Sequence, residues 1–173
     1  MAGRMLLAAG IAVLVLLAAG YGALHYMTGV PGRSHSGPLP ALTEDERALA
    51  ILLKRHIETI AAREHNLRHY DELEKAARYI EATLAPHGYS VGRQEFFFDD
   101  NAVRNIDVVI EPRADISDPE VIVVGAHYDS VVGSPGANDN GSGVAAVIEL
   151  ARLLRDRAGT GSKRIRLISR QSS

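Results

Sequence analysis

Three kinds of hydrophobic patterning divide the chain. From Met5 to Leu24 twenty residues run without a charge, MLLAAGIAVLVLLAAGYGAL. As a helix rising 1.5 Å per residue, such a run spans roughly 30 Å, the thickness of a bilayer's hydrocarbon core. Residues 1–27 therefore read as a membrane anchor. A cleaved signal segment is the alternative, since Ala18 and Gly20 are small enough for a cleavage site, but its apolar region is usually only ~7–15 residues. Arg4 precedes the run and Arg33 follows it, so the charge bias across it is slight. The expected arrangement places the rest of the chain outside the cytoplasm, periplasmic or extracellular.

The second pattern is helical and amphipathic. Thr28–Pro40 (TGVPGRSHSGPLP) holds three glycines and three prolines in thirteen residues, so 28–41 reads as a flexible linker. Thr43 and Glu46 have the spacing of a capping box, and Leu49, Leu52, Leu53, Ile57 and Ile60 then recur on one face. A second helix is predicted over 71–85, with Asp71 as its N-cap. Leu73, Ala76, Ala77, Ile80 and Leu84 form its apolar stripe, and Pro86 and Gly88 stop it. Between the two helices His65 and His69 stand four apart. They would suit a metal if that stretch were helical, but the expectation is a solvated surface pair.

The third pattern is that of strands. Tyr89–Phe98 and Ala102–Ile110 flank Asp99–Asn101, which is turn chemistry, and predict a hairpin. Arg104, Ile106, Val108 and Ile110 share one face of its second strand. Val121–Val124 is continuously apolar and β-branched, the signature of a strand covered on both faces. Ser142–Arg157 is helical again, and Ile165–Ile168 is a last short strand. The order predicts an α/β fold: part of a mixed, mostly parallel sheet flanked by helices, over residues 42–173, after one N-terminal transmembrane helix.

Composition narrows the function. The 173 residues carry 19 Lys+Arg and 21 Asp+Glu, net −2. Setting aside Arg4 and Arg33, residues 41–173 hold 17 basic and 21 acidic groups, net −4. A mildly acidic part of this kind argues against nucleic acid as a partner. With no cysteine there is no disulfide scaffold, no thiol nucleophile and no thiolate zinc site, so a metal would have to be held by His, Asp and Glu.

The chemistry-bearing residues cluster after the apolar strand, in Gly125–Ser130 (GAHYDS) and Gly136–Gly143 (GANDNGSG). His127 and Asp129 fall just past the strand's C-terminal end, where open α/β sheets place ligands, and Asp139 and Asn140 just before a helix. A neutral imidazole with carboxylates suits zinc. A carboxylate two residues from a ligating His can accept its other N–H and fix the tautomer. By itself Asn-Asp-Asn-Gly is ordinary turn chemistry. Gly141-Ser-Gly143-x-x-Ala146 imitates a dinucleotide fingerprint, but it starts sixteen residues after Gly125, and the next acid, Asp156, is still in the helix.

GAHYDS followed by PGANDNGSGVAAVIELARLL resembles the co-catalytic di-zinc aminopeptidase family of zinc-exopeptidase fold, its N-terminal portion only. DELEKAARYIEATLAPHGYSV and VRNIDVVIEP are similar to that family's lead-in. The resemblance implies that His127 is a terminal zinc ligand, that Asp139 bridges two zinc ions, and that Asp129 orients His127 from behind. It also implies a cis peptide after Asp139. The implied activity is zinc-dependent hydrolysis of N-terminal peptide bonds, with a peptide substrate and two zinc ions per complete site.

The pattern then departs from the family. There the last strand leads into a Glu-Glu pair, one the general base and the other a ligand, whereas this chain reads RIRLISRQSS and has no Glu after Glu149. No general base and no zinc ligand beyond His127 and Asp139 are expected, and the chain reads as truncated. The alternative function is a non-catalytic, membrane-tethered remnant or interaction module of the same fold. Oligomeric state and substrate preference are not legible.

Overall fold

The computed structural model describes residues 1–30 and 32–171. Pro31 of the expected linker and Ser172–Ser173 at the end of the expected domain lie outside them. The chain forms two compact units, Met1–Ala41 and Leu42–Ser173. The first holds helix α1 (Ala2–Thr28), whose apolar window has a mean hydropathy of 2.2 and none of whose residues is buried. It is long and apolar enough to cross a membrane.

The second unit opens with α2 (Glu44–Ile60), started by the capping box that its sequence forecasts. The Thr43 hydroxyl accepts the Glu46 N–H, and the Glu46 carboxylate accepts the Thr43 N–H. A 3-10 turn at Leu67–His69 leads into α3 (Tyr70–Leu84). Asp71 is therefore not the N-cap. Asn66 takes the capping bond one turn earlier, accepting the Arg68 N–H, and Asp71 with Glu72 falls in the first turn of α3, where negative charge suits the helix dipole. Leu73, Ala76, Ala77, Ile80 and Leu84 are buried as their spacing requires. Burying an aliphatic side chain such as Leu73 or Ile80 contributes about 1.5–3 kcal/mol.

Strands β1 (Gly92–Phe98) and β2 (Asn101–Ile110) form the hairpin, closed by Asp99 and Asp100 at φ 46° and 61°. Two positive φ angles in a two-residue turn match the right-handed twist of the flanking strands. After β3 (Val121–His127) come α4 (Ser142–Leu154) and β4 (Arg164–Arg170). The sheet is four-stranded in the order β1-β2-β4-β3. It is mixed, with β1/β2 and β2/β4 antiparallel and β3/β4 parallel. Helix α3 packs on β2, α4 packs on β3 and β4, and α2 lies against α4. The register stacks Ile106, Val108 and Ile110 beside Ser169, Leu167 and Ile165, and these beside Ala126, Val124 and Ile122, on the helix-covered face.

The opposite face corrects the reading of Val121–Val124 as covered on both sides. Val121 is 49% and Val123 62% exposed, so no described element of this unit covers that face of β3. A continuous β-branched run shows that a strand can be doubly covered, and the described residues supply only one cover. On the same face Arg166 donates to Asp107 at 2.8 Å.

Candidate metal centre

The parallel strand β3 delivers His127 at its C-terminal end, beside Arg170 of β4. Past it the chain is pinned on both flanks of Tyr128. The Tyr128 N–H donates to the Arg170 carbonyl at 2.9 Å, and its hydroxyl donates to the Arg104 carbonyl at 2.8 Å. Tyr128 is only 1% exposed, and this burial pushes its phenol well above the ordinary tyrosine range. An anchor of that kind leaves the neighbouring side chains little freedom.

Asp139 arrives from the other direction, on the turn Ala137–Gly141 that precedes α4. The turn is closed by an i→i+5 bond from the Gly141 N–H to the Gly136 carbonyl at 2.9 Å. Gly136 stands at φ 69°, in the left-handed region, and a Cβ there would come within 2.9 Å of Ser130 Cβ and 3.0 Å of the Asp139 carbonyl. Asp139 and Asn140 leave helical geometry, with φ/ψ of −123°/89° and −133°/37°, and the peptide between them is cis. The Asn140 side chain accepts the Gly143 N–H at 3.1 Å, a capping bond for α4.

These elements bring the three sequence-derived residues together. His127 Nε2 lies 2.9 Å from Asp139 Oδ1. On the other side of the ring, Nδ1 lies 3.1 Å from the Asp129 carbonyl and 3.3 Å from Asp129 Oδ1. The Asp139 side chain is 79% exposed, His127 26% and Asp129 13%, so the trio grades from open to enclosed. If Nδ1–H is donated to Asp129, a neutral ring turns the Nε2 lone pair toward a carboxylate oxygen at 2.9 Å. With the ring proton on Nε2 instead, the same contact is an ordinary hydrogen bond to Asp139. The donors are of the type zinc accepts, imidazole nitrogen and carboxylate oxygen. Among the described residues, however, no group of three or more His, Asp or Glu forms a site able to hold a metal. The fit is one of donor type and convergence, for two donors.

His65 and His69 do not behave as the expected surface pair. His65 is 2% exposed and its Nδ1 donates to the Arg63 carbonyl at 2.8 Å, while His69 stays at the surface near Glu64. Sequence reasoning also missed a buried polar network joining three helices. His56 of α2 contacts the Tyr79 hydroxyl of α3 through Nδ1 at 2.7 Å and Glu149 of α4 through Nε2 at 3.0 Å, and Arg152 donates to Glu149 at 2.7 Å. A signal was present: His56 occupies the apolar stripe between Leu52 and Ile60, and Glu149 interrupts the apolar run of α4.

Comparison with known proteins follows the same residues. The chain is 43% identical over 72 residues to aminopeptidase YwaD of Bacillus subtilis, covering 42% of this chain and 15% of that protein. It is 37% identical over 92 residues to protein YfbL of Escherichia coli, 49% of this chain and 27% of that one. The chain thus spans well under a third of either relative. Among solved structures, an aminopeptidase from Aneurinibacillus sp. strain AM-1 superposes with a TM-score of 0.60 at 15% identity, over 71% of this chain and 62% of that one. An Acidobacteriales bacterium glutaminyl cyclase superposes with a TM-score of 0.57 at 19% identity, over 81% and 49%. At such identities the superpositions establish the fold alone, and that fold is the expected one. The aminopeptidase resemblance read from the sequence stands: residues 105–171, which hold His127, Asp129 and Asp139, match Peptidase family M28.

Proposed function

We propose that this chain contributes the His127–Asp139 side of a zinc-dependent aminopeptidase site, presented outside the cytoplasm on a membrane-anchored unit. The observation that supports it most directly is the convergence of His127 Nε2 and Asp139 Oδ1 to 2.9 Å, with Asp129 behind the ring. His127 and Asp139 would hold the metal. Bound there, zinc would supply Lewis acidity toward a peptide carbonyl and lower the pKa of the attacking water. Asp129 accepts the Nδ1–H, holding the ring in the tautomer that leaves Nε2 free to ligate. The pinned Tyr128 keeps both neighbours on the same edge of the sheet. The exposure of Asp139 leaves room for a peptide's free N-terminus to approach.

The test is metal binding by the full chain in detergent micelles. Equilibrium dialysis against zinc should show bound metal for the wild type and at least a hundredfold weaker binding for His127→Ala and Asp139→Ala. Release of the first residue from a peptide with a free α-amine, and none from its N-acetylated form, is the matching activity. A second reading, a non-catalytic tethered module of the same fold, is favoured by the lack of a third converging ligand among the described residues. Equal zinc retention by wild type and both variants, with no amino-acid release, would establish that second reading.

A further inference from the structure

The segment joining α2 to α3 grips the turn that carries Asp129, and the mechanism above leaves that grip unused. The Ser130 N–H donates to the His65 carbonyl at 2.9 Å, and the His65 N–H donates back to Ser130 Oγ at 3.0 Å. Asn66 Nδ2 reaches the same hydroxyl at 3.5 Å while donating to Glu64 Oε1 at 2.9 Å. Ser130, His65 and Asn66 are 4%, 2% and 6% exposed, so these bonds form away from competing water. Hydrogen bonds from Asn66 and from the Gly133 backbone hold the Glu64 carboxyl below its ordinary range, which ties the connector to the loop on the far side of Ser130 as well. Ser130 also abuts the second ligand-bearing turn, since the space a Cβ at Gly136 would fill is bounded by Ser130 Cβ and the Asp139 carbonyl. Ser130 therefore bonds the connector, follows Asp129 directly in the chain, and lies beside Gly136 at the start of the Asp139 turn.

We infer that Ser130, clasped by His65 and Asn66, is a positioning residue that sets the orientation of the His127 ring through Asp129 and the spacing of His127 from Asp139. The inference rests on the metal-site reading for its purpose, but its geometry exists without metal. A serine suits the position, because its Oγ accepts the buried His65 N–H.

The experiment uses the full chain in micelles, as wild type, Ser130→Ala and Ser130→Cys. Alanine keeps the packing and removes the acceptor, whereas the cysteine sulfur accepts the same N–H weakly. In the metal-free proteins, side-chain nitrogen NMR of His127 reads the ring's tautomer and hydrogen bonding at fixed pH. In cobalt-loaded proteins, the visible absorption bands read ligand geometry, and titration reads affinity. We expect altered His127 ring-nitrogen shifts in Ser130→Ala, with cobalt affinity about 10–100-fold lower and displaced bands, and intermediate values in Ser130→Cys. Wild-type ring shifts in a folded Ser130→Ala overturn the inference. If Ser130→Ala fails to fold, Ser130→Cys decides by the same ring shifts. Should the wild type bind no cobalt, the metal-site reading fails, and the metal-free ring shifts still decide whether the clasp orients His127.

Discussion

Replacing His56 by alanine tests whether the buried polar network holds α2 against the rest of its unit. The His56 and Glu149 side chains are 7% and 5% exposed, so neither can turn to water when its partner goes. The substitution leaves Glu149 Oε2 bonded to Arg152, at 37% exposure, but strips Oε1 of its imidazole partner and Tyr79 of its ring-nitrogen contact. Removing one partner of a buried hydrogen bond leaves the other unsatisfied and costs about 1–3 kcal/mol. Because Arg152 still serves one oxygen of Glu149, the loss expected for His56→Ala is about 2 kcal/mol. Tyr79→Phe removes a single hydrogen bond and should cost about 1 kcal/mol. His56→Leu combined with Glu149→Leu replaces both partners by apolar groups and should be more stable than His56→Ala alone, since replacing both partners of a buried hydrogen bond by apolar groups of similar shape is often nearly neutral. The assay is guanidinium unfolding of the full chain in micelles, followed by the near-ultraviolet circular dichroism of the tyrosines, of which Tyr70, Tyr79, Tyr89 and Tyr128 lie in this unit. A His56→Ala loss under about 1 kcal/mol, or His56 and Glu149 effects that add within about 0.5 kcal/mol, would refute the claim that the network acts as one unit.

Other outcomes follow from single sites. Gly136→Ala forces a side chain into the left-handed region and against Ser130 and Asp139, so it should destabilise by about 1–3 kcal/mol and weaken zinc binding, as read by unfolding and dialysis. Asp100→Gly relieves a positive φ of 61° in the hairpin turn and should raise stability by about 1 kcal/mol, measured as a higher midpoint of thermal unfolding. Burial alone would raise the Glu81 carboxyl, but hydrogen bonds and charge from Arg93 and Arg104 outweigh it and hold its pKa below the ordinary value. A depressed carboxylate stabilises the fold above its unfolded pKa of about 4.3, and that share is lost as pH falls through the folded value. Acid unfolding of Glu81→Gln should therefore show a shallower dependence below about pH 4.5 than wild type.

What the sequence made legible, and what it hid, divides along range. Local signals carried well. The Thr43–Glu46 box, the α3 stripe and the Asp99–Asp100 turn depend on neighbours within a few residues, and all three appear where their spacing puts them. The misreading of Asp71 is a shift of one turn, because Asn66 captures the Arg68 N–H first and either residue type can cap. Long-range facts did not carry. Nothing in Val121–Val124 states whether a second layer lies over it, since the same β-branched run serves a covered strand and an exposed edge. His65 looked solvated because the partner that accepts its buried N–H, Ser130, stands sixty-five residues away in the chain. Of the site, the residue types at 127, 129 and 139 were legible as chemistry, but their convergence is a product of three separate anchors: Tyr128 on Arg170 and Arg104, Ser130 on His65, and Gly136 between Ser130 and Asp139. None of those anchors is itself a metal donor. Metal-ligand patterns read from sequence alone therefore pick out the donors and overlook the residues that aim them. In this chain the aiming residues are among the most buried polar groups, which is where a search for them should begin.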